Sequence, residues 1–277
     1  MGLFSYAARR SFILLILVAC SVDSSTMSAR AAQTNSKLDA QGIAKLEARA
    51  DKDGASAQFS VGLLYDLGEN LPQDSTRAAF WFRKAAEQDY QDAQFSLGRL
   101  YQDGRGVPQD YAQAILWYSK AAKQGDSKAQ TSLGTMFYSG QGTPQDYQQA
   151  AMWFRKAAEQ GDAYAQFDLG LMNDNGQGIP QDYSQAILWY RKAADQGMSE
   201  AQLNLGALYY KGRAIKQDYA EAYFWFDLAA SGKMQGVDPE NVQKSRDDAA
   251  SHLSSPVLLQ TQERARKWLE AHPKVNQ

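Results

Sequence analysis

Apolar positions in this chain recur at helical spacing, with polar residues filling the gaps between them. Ala93, Leu97, Leu100 and Tyr101 fall on one side of a helix. A second set, Tyr111, Ala114, Ile115, Tyr118, Ala121 and Ala122, is spaced as one apolar helix face, with Trp117 on its flank. Between the two, residues 104–109 hold Gly104, which stops a helix, and Pro108, which cannot continue one, so the stretch predicts a turn. Asp110 stands where the second helix should start, and Gln113 completes a capping-box-like pair with it. Asp146 with Gln149 and Asp182 with Gln185 repeat that arrangement.

This helix, turn and helix recur. An Ala-Gln pair opens at residues 57, 93, 129, 165 and 201, a spacing of 36 without insertion or deletion. Gly68, Gly104, Gly140, Gly176 and Gly212 keep the same interval, as do Gln-Asp pairs ending at Asp74, Asp110, Asp146, Asp182 and Asp218. Trp81, Trp117, Trp153, Trp189 and Trp225 follow in phase, and only Trp268 falls outside the register. A face widened by an aromatic suits a helix that touches both its own partner and the next repeat, so the tryptophans are expected in the core between repeats. Gly62, Gly98, Gly134, Gly170 and Gly206 sit inside the first helix, where glycine costs about 1 kcal/mol relative to alanine. Five such placements point to close helix crossing.

The pattern Ala-x-x-x-Leu-Gly-x-x-Tyr, then Gly-x-Gly-Val-Pro-x-Asp-Tyr, then Ala-x-x-Trp-Tyr-x-Lys-Ala-Ala resembles Sel-like repeats, relatives of the tetratricopeptide repeat. The resemblance spans residues 57–232, divided as 57–92, 93–128, 129–164, 165–200 and 201–232. It implies an all-α fold, an α/α superhelical solenoid of 36-residue helix-turn-helix repeats with a concave surface, used in scaffold and adaptor roles. It names no ligand. Departures gather at the ends, as capping repeats require. The first unit has Leu67 and Asn70 around its loop and Asp89 in place of glycine; the fifth has Ala214 and Lys216 in the loop, then Asp227 and Leu228. Residues 38–56, with Ile43, Leu46, Ala50 and Gly54, read as an N-terminal half-repeat. Residues 233–277 read as a helical cap with helices over 240–253 and 257–271, Pro239 and Pro256 near their starts, and Trp268 and Leu269 over the open end of the core.

The amino terminus differs. Arg9 and Arg10 precede a short apolar run over residues 11–19, the build of a signal peptide. Polar Ser21, Asp23, Ser24 and Ser25 end the run well short of the roughly 20 apolar residues a membrane-spanning helix needs. Leu17, Val18, Ala19 and Cys20 resemble the bacterial lipobox, which implies cleavage after residue 19, lipid attachment at Cys20 and a flexible tether over 20–37. Ser21 after the cysteine implies an outer-membrane lipoprotein facing the periplasm. A signal peptide cut later, after Ala29 or Ala31, stays open and would leave a soluble periplasmic or secreted protein.

Composition narrows the chemistry. A net charge of −2 gives no basic surplus for nucleic acid, and a single cysteine excludes an internal disulfide and a cysteine-rich zinc site. His252 and His272 lie in the terminal cap without metal-ligand spacing, so no metal or cofactor is expected. Gly104 with Gly106, Gly140 with Gly142 and Gly176 with Gly178 follow a helix and lack the third glycine of a phosphate loop. No nucleophile or metalloprotease motif is found, so no catalytic residue is assigned. Arg83 with Lys84, Arg155 with Lys156 and Arg191 with Lys192 sit late in the second helix, either as a solvated face complementing the helix dipole or as a basic ridge for an anionic envelope polymer.

Positions that vary among near-identical units are the candidates for binding a protein partner. One row on the first helix is Phe59, Phe95, Thr131, Phe167 and Leu203; another is Leu63, Arg99, Thr135, Leu171 and Ala207. Packing against neighbouring helices is the competing role. The reading that results is a monomeric, non-enzymatic interaction scaffold in the bacterial envelope. A cell-wall or β-lactam-acting enzyme and a secreted host-interaction factor are its alternatives.

Overall fold

The computed structural model describes residues 38–232 and 238–272. The signal-peptide and lipobox readings, Cys20 and the 20–37 tether lie outside the described residues. Among the described residues the chain forms thirteen helices and no strand. They are α1 (Ala40–Asp53), α2 (Ala55–Leu67), α3 (Ser75–Ala86), α4 (Gln91–Asp103), α5 (Tyr111–Lys123), α6 (Ser127–Ser139), α7 (Tyr147–Glu159), α8 (Ala163–Asn175), α9 (Tyr183–Asp195), α10 (Ser199–Lys211), α11 (Tyr219–Ser231), α12 (Pro239–Ser251) and α13 (Ser255–Ala271).

Two compact units divide the chain, residues 1–120 and 121–277. In the first, α1 packs on α2, α2 on α3 and α3 on α4. In the second, each of α6 to α11 packs on the next, and α12 and α13 both close against α11. Helix pairs packed in tandem at a 36-residue period make this an all-α solenoid.

The repeated polar residues set the helix ends. Asp74, Asp146, Asp182 and Asp218 cap α3, α7, α9 and α11, each accepting from backbone N–H groups of the first turn. Asp110 accepts from the Gln113 N–H at 3.0 Å. Each cap contributes about 1 kcal/mol, and the aspartate supplies the bonding half of the capping box. The glutamine before it closes the preceding helix. Gln73, Gln109, Gln145, Gln181 and Gln217 donate their side-chain amides to the carbonyls of Asp66, Gln102, Tyr138, Asp174 and Tyr210 at 2.7–2.9 Å. Those carbonyls lie in the last turns of the first helices, where helical partners run out. Gly104 itself takes a left-handed conformation, φ 67°, and its N–H returns to the Leu100 carbonyl.

The helical glycines make room for a ring. A Cβ on Gly98 would stand 2.7 Å from Tyr118 Cδ1, and one on Gly134 would stand 2.5 Å from Phe154 Cδ1. Gly62 meets Phe82, Gly170 meets Tyr190 and Gly206 meets Phe226 in the same way. The close crossing inferred from the sequence is thus an aromatic of the second helix pressed on the glycine of the first. Trp117 joins the buried cluster of Trp81, Phe82, Leu97 and Leu100, while Trp189 joins that of Phe154, Leu169 and Met172. Both therefore pack into the preceding repeat, as expected. Trp153 is half-buried.

The glutamine of each Ala-Gln pair, which in the sequence only marks the register, is a buried tie. Gln94, Gln130, Gln166 and Gln202 each donate at 3.1 Å to a carbonyl at the end of the preceding helix, on Ala86, Ala122, Ala158 and Ala194. From the far side Gln58, Gln130 and Gln166 accept at 2.7–2.8 Å from Gln88, Gln160 and Gln196. At the end of the array Gly232 stands where that donor should be, and the buried Gln202 Oε1 has no hydrogen-bond partner among the described residues.

Candidate functional site

The first-helix rows singled out in the sequence divide by exposure. Phe59, Phe95 and Phe167 are half-buried, with ring centroids 5.5, 5.7 and 5.9 Å from Phe82, Tyr118 and Tyr190, the rings that fill the glycine slots. Leu63 packs on the core of the first unit, and Leu171, Leu203 and Ala207 on that of the second. Thr131 is half-buried and bonds back to the Ser127 carbonyl. Arg99 and Thr135 are the members that face solvent.

Four of the nine large apolar side chains exposed among the described residues share one register position. Phe80 and Leu116 in the first unit are 54% and 46% exposed; Met152 and Leu188 in the second are 40% and 45% exposed. All four stand one residue before the repeated tryptophan. The fifth position, Phe224, is only 3% exposed. There the Arg264 guanidinium of α13 lies 3.8 Å from the ring centroid, so the chain covers this apolar position with a helix of its own. Sequence reading passed over the row because it lies off the Tyr-Ala-Ile stripe. Its signal was an apolar residue kept at a 36-residue interval immediately before each repeated tryptophan.

The late basic pairs have a definite task. Lys120, Lys156 and Lys192 hold their ammonium groups 4.1–4.2 Å from the ring centroids of Trp117, Trp153 and Trp189, and Lys84 lies 5.0 Å from Trp81. Such pairs contribute about 0.5–1 kcal/mol at exposed sites. The arginines turn elsewhere: Arg83 and Arg191 donate to the hydroxyls of Tyr101 and Tyr209. A Trp-x-x-Lys spacing on one helix face was the available signal. The set therefore lines the aromatic seam between repeats.

Two titratable groups shifted by burial stand out in the second unit. Burial, with a lesser push from Asp162, raises the Asp168 carboxyl on α8 to about 7. Burial likewise raises the phenol of Tyr190, which bonds Asp174 at 3.3 Å. His252 stacks on Tyr219 at 4.1 Å, and His272 on Trp268 at the same separation; both end helices of the cap. Among the described residues no three His, Cys, Asp or Glu side chains cluster in a way that could hold a metal ion, and no helix is long and apolar enough to cross a membrane.

Two pockets occupy equivalent places in the two units. The first, of about 470 Å³, lies among Arg83, Glu87, Tyr101, Asp110 and Trp117. The second, of about 430 Å³, lies among Arg191, Asp195, Trp225, Arg264, Lys267 and Trp268. Both are entered by a tryptophan whose buried indole Nε1–H has no hydrogen-bond partner among the described residues.

A family model for the Sel1 repeat matches residues 55–90, 91–126, 127–162, 163–198 and 199–233. Its units open where the first helices begin. A protective antigen of uropathogenic Escherichia coli, whose structure displays an SLR fold, is 36% identical with a TM-score of 0.75. The match covers 85% of this chain and 50% of that one, so this chain spans about half the length of that relative. A Sel1 repeat protein from Oxalobacter formigenes is 34% identical over 76% of this chain and 90% of its own, with a TM-score of 0.64. No curated protein matches the chain.

Proposed function

The chain belongs to the Sel1 repeat family, and from that premise we propose that it is a non-enzymatic scaffold holding a protein partner in the bacterial cell envelope, anchored by lipid on Cys20. Sel1 repeat proteins generally serve as protein-interaction scaffolds. The observation that carries the reading is the exposed row at Phe80, Leu116, Met152 and Leu188, whose fifth member the chain itself covers with α13. Within each unit two apolar side chains stay exposed one repeat apart, Phe80 with Leu116 in the first and Met152 with Leu188 in the second, and each pair offers apolar surface for another chain to cover.

The α13 contact indicates what fits. It sets an arginine over the ring while its own apolar residues Leu258, Trp268 and Leu269 pack on the core. A partner helix with an apolar face flanked by arginine would make the same contact at Leu188 or Leu116. Arg99 in the first unit and Thr135 in the second are the exposed polar members of the first-helix rows and remain candidates for contact. The lipobox-like residues ending at Cys20 and the Ser21 that follows favour the outer membrane, on its periplasmic side. That the E. coli relative is a protective antigen supports an envelope location.

A photoreactive amino acid placed at Leu188 of the full chain, irradiated in intact cells, tests the reading. Adducts to protein are expected, from a membrane fraction that Cys20→Ala empties into the soluble one. Adducts confined to lipid, or none, would overturn it.

A further inference from the structure

Near its N-terminal end the array sets a carboxylate against a tryptophan indole, and at the equivalent position near the C-terminal end stands an arginine. Glu47 of α1 accepts from the Tyr65 hydroxyl at 2.8 Å, from Arg77 Nη1 at 3.2 Å and from the Trp81 indole Nε1–H at 3.4 Å. Four repeats further along, the same register positions are Arg191, Tyr209, Glu221 and Trp225 in place of Glu47, Tyr65, Arg77 and Trp81. The acid has become an arginine, and the arginine an acid. Arg191 donates to the Tyr209 hydroxyl, and Glu221 is paired with Arg264. Trp225 is left 4% exposed, its Nε1–H without a hydrogen-bond partner among the described residues. A buried donor left unpaired costs about 1–3 kcal/mol.

Arg191, Arg264 and Lys267 line the pocket at this tryptophan together with Asp195 and His272. Arg264 is paired with Glu221 and Lys267 with Glu263 at 3.5 Å, so Arg191 is the lining cation that makes no ion pair among the described residues, and the exposed Lys267 has to exchange Glu263 for a ligand. Asp195 makes no hydrogen bond to the indole, which has no acceptor among the described residues. Trp268 and Phe224 make the rest of the wall apolar. The first unit repeats the arrangement with Arg83, Tyr101 and Trp117, whose Nε1–H likewise has no partner among the described residues, but there two acids, Glu87 and Asp110, line the pocket with Arg83.

We propose that the pocket between α9, α11 and α13 binds a carboxylate, from a peptide chain end or an acidic side chain, in the place that Glu47 takes over Trp81. The carboxylate accepts from the Trp225 indole and is paired by Arg191 and Lys267, with its apolar neighbour against Trp268. The Nε1–H is out of water's reach in this structure, so the ligand enters as the Arg191 guanidinium turns from Tyr209 to meet it. This deepens the reading of the chain as a holder of proteins. It rests on residues apart from the exposed row, so failure at one surface leaves the other intact.

The test uses the full chain labelled with ¹⁵N-tryptophan, whose six indole groups give six signals, with Trp225→Phe assigning one of them. Three probes are titrated: acetyl-Ala-Ala-Phe with a free carboxylate, its terminal amide, and acetyl-Ala-Glu-Ala amide. The Trp225 indole proton is expected to move downfield with one or both acids and to stay still with the amide. The acid that binds more tightly identifies the source of the carboxylate. Arg191→Met and Lys267→Met should each weaken that binding by about tenfold or more, as loss of a charge-assisted hydrogen bond implies. Lys267 is largely exposed on α13, so its variant keeps the test valid if Arg191→Met misfolds. A Trp225 signal that ignores both acids, or follows the amide equally, would overturn the proposal.

Discussion

At Gly98 two effects of similar size oppose each other, and the geometry decides between them. Replacing a helical glycine by alanine gains about 1 kcal/mol of helix propensity. Here the new methyl would lie 2.7 Å from the Tyr118 ring, which also packs against Phe95 and is fully buried. Overpacking of that kind costs about 1–3 kcal/mol. Gly98→Ala should therefore lower stability in urea unfolding, and adding Tyr118→Leu should restore most of it. A single variant as stable as the parent would refute the packing role. The glycine's importance was legible from its interval, but the ring opposite was not, because spacing shows which face a residue shares and not what that face meets. Gln94 and its equivalents were read only as phase markers for the same reason: the carbonyl each one ties lies at the end of a different helix.

Helix ends were the most legible feature at the scale of the elements. Asp110, Gly104 and their equivalents placed the caps correctly, since a capping aspartate and a left-handed glycine act within a few residues of their own position. The departures in the terminal repeats carry strain that the inner ones avoid. Where Gly106 and Gly178 both take φ 69°, Asn70 takes 59° and Ala214 takes 54°. Asparagine tolerates that region; alanine pays roughly 1–2 kcal/mol there. Ala214→Gly should raise stability by about 0.5–1 kcal/mol after the added freedom of the unfolded chain is subtracted, which is ~1–4 °C in a thermal melt. A lower melting temperature would show that the Ala214 methyl makes a contact worth more than the strain. The lysines over Trp117, Trp153 and Trp189 were missed at this scale because a basic pair near a helix end already had an adequate explanation in the helix dipole.

For the molecule as a whole, the all-α solenoid follows from five in-phase units, and the family match and helix order agree with that period. The partner surface was far less legible. The sequence drew attention to positions that vary between repeats, yet Phe59, Phe95 and Phe167 vary while packing on their own repeat's ring. The exposed positions Phe80, Leu116, Met152 and Leu188 keep their apolar character but lie off the stripe that marks the packing face, so neither variation nor periodicity singled them out. Only burial separates the two cases, and burial depends on what the neighbouring helices cover. Crosslinking in intact envelopes, comparing the parent chain with a Leu116→Glu, Leu188→Glu double variant of matched thermal stability, tests the central claim most directly. The account predicts that the parent retains a protein partner and that the double variant loses at least about nine-tenths of it, a tenfold change in affinity. Undiminished capture by the folded double variant would contradict it.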